Sequence, residues 1–277
     1  MDDPELARHY AVLGKETTQE GDYARAEHYL MLAIEEDSRC AWAYANLAAL
    51  YGILGMTQES LQASWQALQC DPHNAVLLFN LGTGLMQAGD YQQAAAYLKK
   101  AALQDPKYGL AVFNLAMCYD MMGQLDDALL WYQRAAELDP SDPDPIYNIA
   151  EICFRNKAFV RAERLCQEAL DLSDAQFRNT QLAPFLPAGE PLSREQLLAD
   201  IAHKKAVTHS LLAFIQANQG NLRLALGSIR RAIDIYPHKA NWFLLMAEIH
   251  HKLGNHTEAQ AALARARALD PGIAAYG

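Results

Sequence analysis

A short phrase recurs along this chain at a fixed interval of 34 residues, and that interval constrains the fold more than any other property of the sequence. Gly21-Asp22-Tyr23 and Gly89-Asp90-Tyr91 share its strict form, with variants at Gly123-Gln124-Leu125, Gly220-Asn221-Leu222 and Gly254-Asn255-His256. Units of this length start at Ala7, Ala41, Ala75, Gly109 and Pro143, and after an interruption at Ala206 and Ala240. Equivalent positions agree in chemistry. The seventh residue is Leu13, Leu47, Leu81, Leu115, Ile149, Leu212 or Met246. The eighth is always Gly or Ala, small enough for two helices to approach closely. The twentieth is Ala in six units and Ser60 in the second, and the twenty-seventh is Ala in all seven. Pro72, Pro106, Pro140, Pro237 and Pro271 close their units, where proline stops a helix. Apolar residues between these punctuators recur at three- and four-residue steps, as amphipathic helices require. Each unit therefore reads as a helix, a turn and a second helix. No such hairpin can bury its own apolar face, so neighbouring units must stack.

These positions resemble the tetratricopeptide-repeat (TPR) family. The resemblance implies an all-α, right-handed superhelical solenoid of seven repeats, at 7–40, 41–74, 75–108, 109–142, 143–176, 206–239 and 240–273. Residues 1–6 form an N-terminal lead, 177–205 an insert and 274–277 a tail. The insert combines a Pro-rich loop, Gln181 to Pro191, with a helical extension that starts at a Ser193/Gln196 capping box and runs to Ala217. Two uses of that loop stay open: a lid over the groove carrying Leu182, Phe185 and Leu186, or a solvent-exposed spacer.

The family resemblance also implies that the first helix of each unit lines a concave groove. At the sixth position stand Asn46, Asn80, Asn114 and Asn148 in four successive units. An amide both donates and accepts, so such a ladder suits gripping an extended peptide backbone. It is similar to the ladder in the TPR region of O-linked N-acetylglucosamine transferases. Between the amides the expected surface is apolar, with Phe79, Phe113 and Tyr147 at the fifth position and Met86, Met117 and Met121 beside them. Chaperone-binding members of the family hold a terminal carboxylate with basic and asparagine side chains on adjacent units. Here Lys15 has no basic counterpart in the third unit, where Val76, Phe79 and Thr83 stand, so that activity is not expected.

Composition narrows the remaining choices. The formal charge of -10 lacks the basic stripe that nucleic acid needs, and no apolar run is long enough for membrane insertion. Five cysteines without metal-ligand spacing read as reduced thiols of a cytoplasmic protein. Adjacent His250 and His251 point about 100° apart on a helix, so with His256 they read as surface histidines rather than a metal site. No catalytic or nucleotide-binding motif occurs, so no enzyme activity and no cofactor is expected. The expected function is a protein–protein interaction scaffold or adaptor that binds an extended peptide of a partner in its groove. The alternative is a substrate-recruiting module or fragment of a larger enzyme or multi-subunit assembly, and self-association through the terminal repeats is a further expectation.

Overall fold

The computed structural model describes residues 3–182 and 193–273. Among these every regular element is an α-helix, fourteen in all, arranged as successive antiparallel hairpins. They fall into two compact units, one ending at Leu138 and the other beginning at Asp139.

The first unit holds four hairpins: α1 (Pro4–Glu20) with α2 (Tyr23–Glu36), α3 (Ala41–Ile53) with α4 (Thr57–Cys70), α5 (Ala75–Gln87) with α6 (Tyr91–Gln104), and α7 (Gly109–Met121) with α8 (Leu125–Leu138). The recurring Gly-Asp-Tyr phrase is the turn between the paired helices. Gly21 and Gly89 take positive φ, both at 83°, and end the first helix. The aspartate that follows caps the second: the Asp22 carboxylate accepts from Arg25 N–H at 3.2 Å, and Asp90 from Gln93 N–H at 3.0 Å. The recurrent alanines sit where the helices cross, with Ala26, Ala33, Ala94, Ala101 and Ala128 fully buried. Leu77, Leu81, Leu98 and Leu115 join Ala94 and Ala101 in the core linking hairpins two to four. Burying each such leucine contributes roughly 1.5–3 kcal/mol.

The second unit holds α9 (Pro143–Arg155) with α10 (Phe159–Leu182), α11 (Arg194–Asn218) with α12 (Leu222–Ile235), and α13 (Ala240–Lys252) with α14 (His256–Leu269). The fifth hairpin turns without glycine: Lys157 occupies the left-handed region at φ 59°. Helices α10 and α11 are 24 and 25 residues long, against 13 or 14 for their equivalents in the other two hairpins of this unit. The capping box at the start of α11 is formed, with Gln196 N–H donating to Ser193 Oγ at 3.2 Å and Ser193 N–H to Gln196 Oε1 at 2.8 Å. The expected irregular loop is corrected at its first two residues, because Gln181 and Leu182 still belong to α10. The rest of that loop, Phe185 and Leu186 included, lies outside the described residues.

Polar side chains hold this unit together where the helices lengthen. Lys204 on α11 reaches Asp144 at the start of α9 (2.8 Å) and Asp200 one turn back (3.2 Å). Burial disfavours its charge, yet the two carboxylates outweigh that and hold its pKa above the usual lysine value. Buried Gln216 donates to Glu163 of α10 at 3.1 Å and accepts from Ser228 of α12 at 2.8 Å, so one amide joins three helices. One sequence expectation is corrected here. His250 is not a surface histidine: it is only 4% exposed, and its Nδ1 sits 3.3 Å from the Asn255 amide. His251 and His256 are exposed, as the sequence indicates.

Candidate peptide-binding face

On an α-helix, positions two, five, six, nine and thirteen of a unit fall along one stripe. In the first unit of the structure this stripe on α3, α5 and α7 is almost free of charge. The three helices have 13 residues each, and Asp120 is their one ionisable acid or base of the Asp, Glu, Lys, Arg and His set. Large apolar side chains stand exposed on it. Trp42, at 52% exposure, and Leu110, at 61%, occupy the second position of hairpins two and four. Val76 is exposed at that position of hairpin three, and Ile53 and Met121 are exposed at the thirteenth position of hairpins two and four.

The amides expected along this face have diverged in role. Asn46 Nδ2 donates to the Ala11 carbonyl on α1 at 3.1 Å, and Asn114 Nδ2 to Thr83 Oγ1 on α5 at 3.3 Å. Both therefore tie neighbouring helices together. Asn80 lies between them, half-buried, and has no hydrogen-bond partner among the described residues; it lines a cleft of about 410 Å³ between hairpins two and three. Asn148 belongs to the second unit, where its amide donates to the Asp144 carbonyl one turn back on α9 at 2.8 Å.

The expected aromatic and methionine contacts divide similarly. Phe79 packs on the Tyr108 ring with centroids 4.9 Å apart, and Phe113 on Tyr132 at 5.5 Å. Phe79 and Met86 rest against the core of hairpins two to four, so both contribute packing as well as surface. Met117 is half-buried and Met121 mostly exposed. Tyr147 lies in the second unit, half-buried, its hydroxyl pKa raised first by burial and then by the Glu151 charge.

Trp42 and Leu110 carry much of the exposed apolar area yet stand outside the ladder that the sequence emphasises. Their signal was available: with Val76 between them they stand at the 34-residue interval of the asparagines, at a position on the same helix stripe. The equivalent stripe of the second unit differs in chemistry. There Glu151, Arg155, Glu248 and Lys252 interrupt it, with Lys252 paired to Glu248 at 2.7 Å. Among the described residues no cluster of His, Cys, Asp and Glu is arranged to hold a metal ion, and no helix is long and apolar enough to cross a membrane.

Comparison with known proteins places the hairpins in context. Residues 79–143 and 216–277 each match a family model described as tetratricopeptide repeat. No curated protein matches the sequence. Among solved structures, the chain is 26% identical to YrrB, a TPR protein with an unusual peptide-binding site. That match covers 59% of this chain and 84% of YrrB, with a TM-score of 0.53. It is 20% identical to PilF of Pseudomonas aeruginosa over 90% of this chain and 98% of that one, with a TM-score of 0.66. It also superposes on a chain of the APC/C hetero-tetramer Cut9–Hcn1 at 15% identity and a TM-score of 0.67, covering 97% of this chain and 46% of that one. The fold is thus an all-α solenoid of tetratricopeptide repeats, a class of protein that binds other proteins and peptides.

Proposed function

We propose that this chain is a non-catalytic adaptor that holds an extended peptide segment of a partner protein along the face made by α3, α5 and α7. The observation that carries this reading is the near absence of charge on that face together with the exposure of Trp42, Val76 and Leu110 at successive repeats. Large apolar side chains repeated in exposed positions on one face suit an interaction surface. Stacked helices lie 8–10 Å apart, so an extended chain rising about 3.3 Å per residue passes one hairpin about every three residues. The repeat interval then sets where its anchoring side chains fall. Asn80 supplies the amide free to pair with that backbone, in the manner of the ladder of O-linked N-acetylglucosamine transferases. The likeness to YrrB supports a peptide as the ligand.

Selection of peptides from a random display library on the full chain, followed by affinity measurement, tests the reading. Placing charge on the face with Trp42→Asp and Leu110→Asp should weaken the selected peptides by about 2 kcal/mol or more, roughly thirtyfold, the scale of a lost aromatic anchor. Unchanged affinity in both variants refutes it.

A second reading, a module within a larger assembly, draws on the last hairpin. A cleft of about 590 Å³ lies between α13 and α14, lined in part by Leu244, Ala247, Ala259 and Leu263. Light scattering distinguishes self-association through this hairpin: a concentration-independent monomer excludes it.

A further inference from the structure

The cleft between hairpins two and three exists because hairpin two is underfilled. At the twelfth and twenty-fourth positions it carries Gly52 and Ser64. In the other units the twenty-fourth position is Leu30, Leu98, Tyr132, Cys166, Ile229 or Leu263. In hairpin three, Leu98 fills that place completely and is fully buried. In hairpin two the same volume opens into the cleft of about 410 Å³, within the size range of small-ligand pockets.

Polar groups in this cleft point to a ligand. Ser64 is only 5% exposed and lines the cleft, yet its hydroxyl has no hydrogen-bond partner among the described residues. A hydroxyl open to the cleft can pair with a polar group that enters it. Ser60 is already engaged, its own hydroxyl donating to the Ala48 carbonyl at 2.8 Å. Asn80 stands on the opposite wall with its amide also unpaired among the described residues. Apolar side chains of Ala45, Ala48, Ile53 and Phe79 share the rest of the lining with Thr83 and Gln87, and no charged residue lines the cleft. An ionised side chain entering it would lose its hydration without a counter-charge. A side chain with an apolar body and one neutral hydrogen-bonding atom would satisfy both walls.

Resting on the peptide-holding role above, we infer that this cleft is a specificity pocket for an uncharged aromatic side chain with a hydrogen-bonding tip, of the tyrosine class, carried by the bound segment. Its phenol hydroxyl pairs with Ser64 and Asn80, and its ring lies against Phe79, Ile53 and the alanines.

The probe is N-acetyl-L-tyrosine amide, titrated into the isotope-labelled full chain and followed by two-dimensional NMR. Saturable shifts are expected at the Gly52 and Gly84 backbone amides and at the Asn80 side-chain amide. Ser64→Leu restores the residue of hairpins one, three and seven, and should weaken binding about tenfold or more by filling the cleft. Ser64→Ala keeps the space and removes the hydroxyl. It should weaken the tyrosine probe roughly two- to tenfold, the value of one hydrogen bond, and leave N-acetyl-L-phenylalanine amide unaffected. Three results would each overturn the pocket: no saturable shift with the tyrosine probe, equal shifts with the amides of N-acetyl-aspartate or N-acetyl-lysine, or undiminished tyrosine binding to a folded Ser64→Leu chain. If Ser64→Leu does not fold, Ser64→Ala decides, and equal discrimination between the tyrosine and phenylalanine probes in wild type and variant refutes the inference. Failure here while selected peptides still depend on Trp42 and Leu110 removes the pocket alone. Loss of that dependence removes the peptide-holding role as well.

Discussion

A methyl group added to Gly82 would lie 2.7 Å from Cγ of Leu98, closer than real side chains approach one another. The same relationship holds between Gly14 and Leu30, at 2.6 Å. Glycine at the eighth position of hairpins one and three is therefore fixed by the leucine across from it. Alanine would gain about 0.5–1 kcal/mol of helix propensity, but overpacking a filled core costs roughly 1–3 kcal/mol. Gly82→Ala should thus destabilise the first unit by about 1–2 kcal/mol in denaturant unfolding. Combined with Leu98→Ala it should show a coupling of about 0.5 kcal/mol or more. Strict additivity would contradict the contact.

Two amides of the first unit, Asn46 and Asn80, should separate in assay. Asn46→Ala removes a donor to the Ala11 carbonyl and should cost about 0.5–1.5 kcal/mol of stability. Asn80→Ala breaks no bond among the described residues, so stability should change by less than about 0.5 kcal/mol while peptide affinity falls. Thermal melts and binding titrations of the same two proteins check both halves.

Much of this fold was legible in the sequence because stacking leaves each unit the same geometric demands: a small residue where helices cross, glycine at the turn and proline past the second helix. Glycine at the turn failed as a marker once, at Lys157, where the surrounding hairpin overrides local preference. The site was less legible. The ladder's spacing was plain, but whether an amide faces a ligand or a neighbouring helix depends on the register between hairpins. That is why Asn46 and Asn80 share a sequence position and differ in role. His250 was misread for a related reason: its burial comes from packing within the last hairpin, not from local pattern.

Lys157 pays for that override with a left-handed backbone at φ 59°. Lys157→Gly should stabilise the second unit by about 1 kcal/mol, since left-handed geometry costs a side-chain-bearing residue roughly 1–2 kcal/mol. A lower unfolding midpoint in urea for the variant would show that the strain is absent.

His209 gives the second unit a pH dependence. Burial first, then the Arg231 and Lys205 charges, bring its pKa down to about 4, with Asp174 opposing. Its Nδ1 is buried without a partner among the described residues. Between about pH 6.5 and 4 the unfolded chain takes up a proton that the folded chain refuses, so stability rises with pH across that window. The contribution approaches 1.4 kcal/mol per pH unit at most. His209→Gln should flatten the slope, and identical slopes in the two proteins would exclude His209 as its source.

Thiol reactivity follows burial. Cys40, Cys118, Cys153 and Cys166 are buried and Cys70 is half-buried. Burial pushes the Cys118 thiol up to about 11 and, with Glu163 adding to it, the Cys166 thiol up to about 12. Under native conditions a thiol reagent should modify Cys70 well before the other four, and mass mapping of the labelled peptides reads the order directly.

Hydrogen–deuterium exchange of the full chain, with and without a selected peptide, tests the central claim most directly. Peptide held along this charge-poor face should slow exchange in α3, α5 and α7 and leave α11 and α13 unchanged. Protection confined to helices of the second unit, or none at saturating peptide, would contradict it.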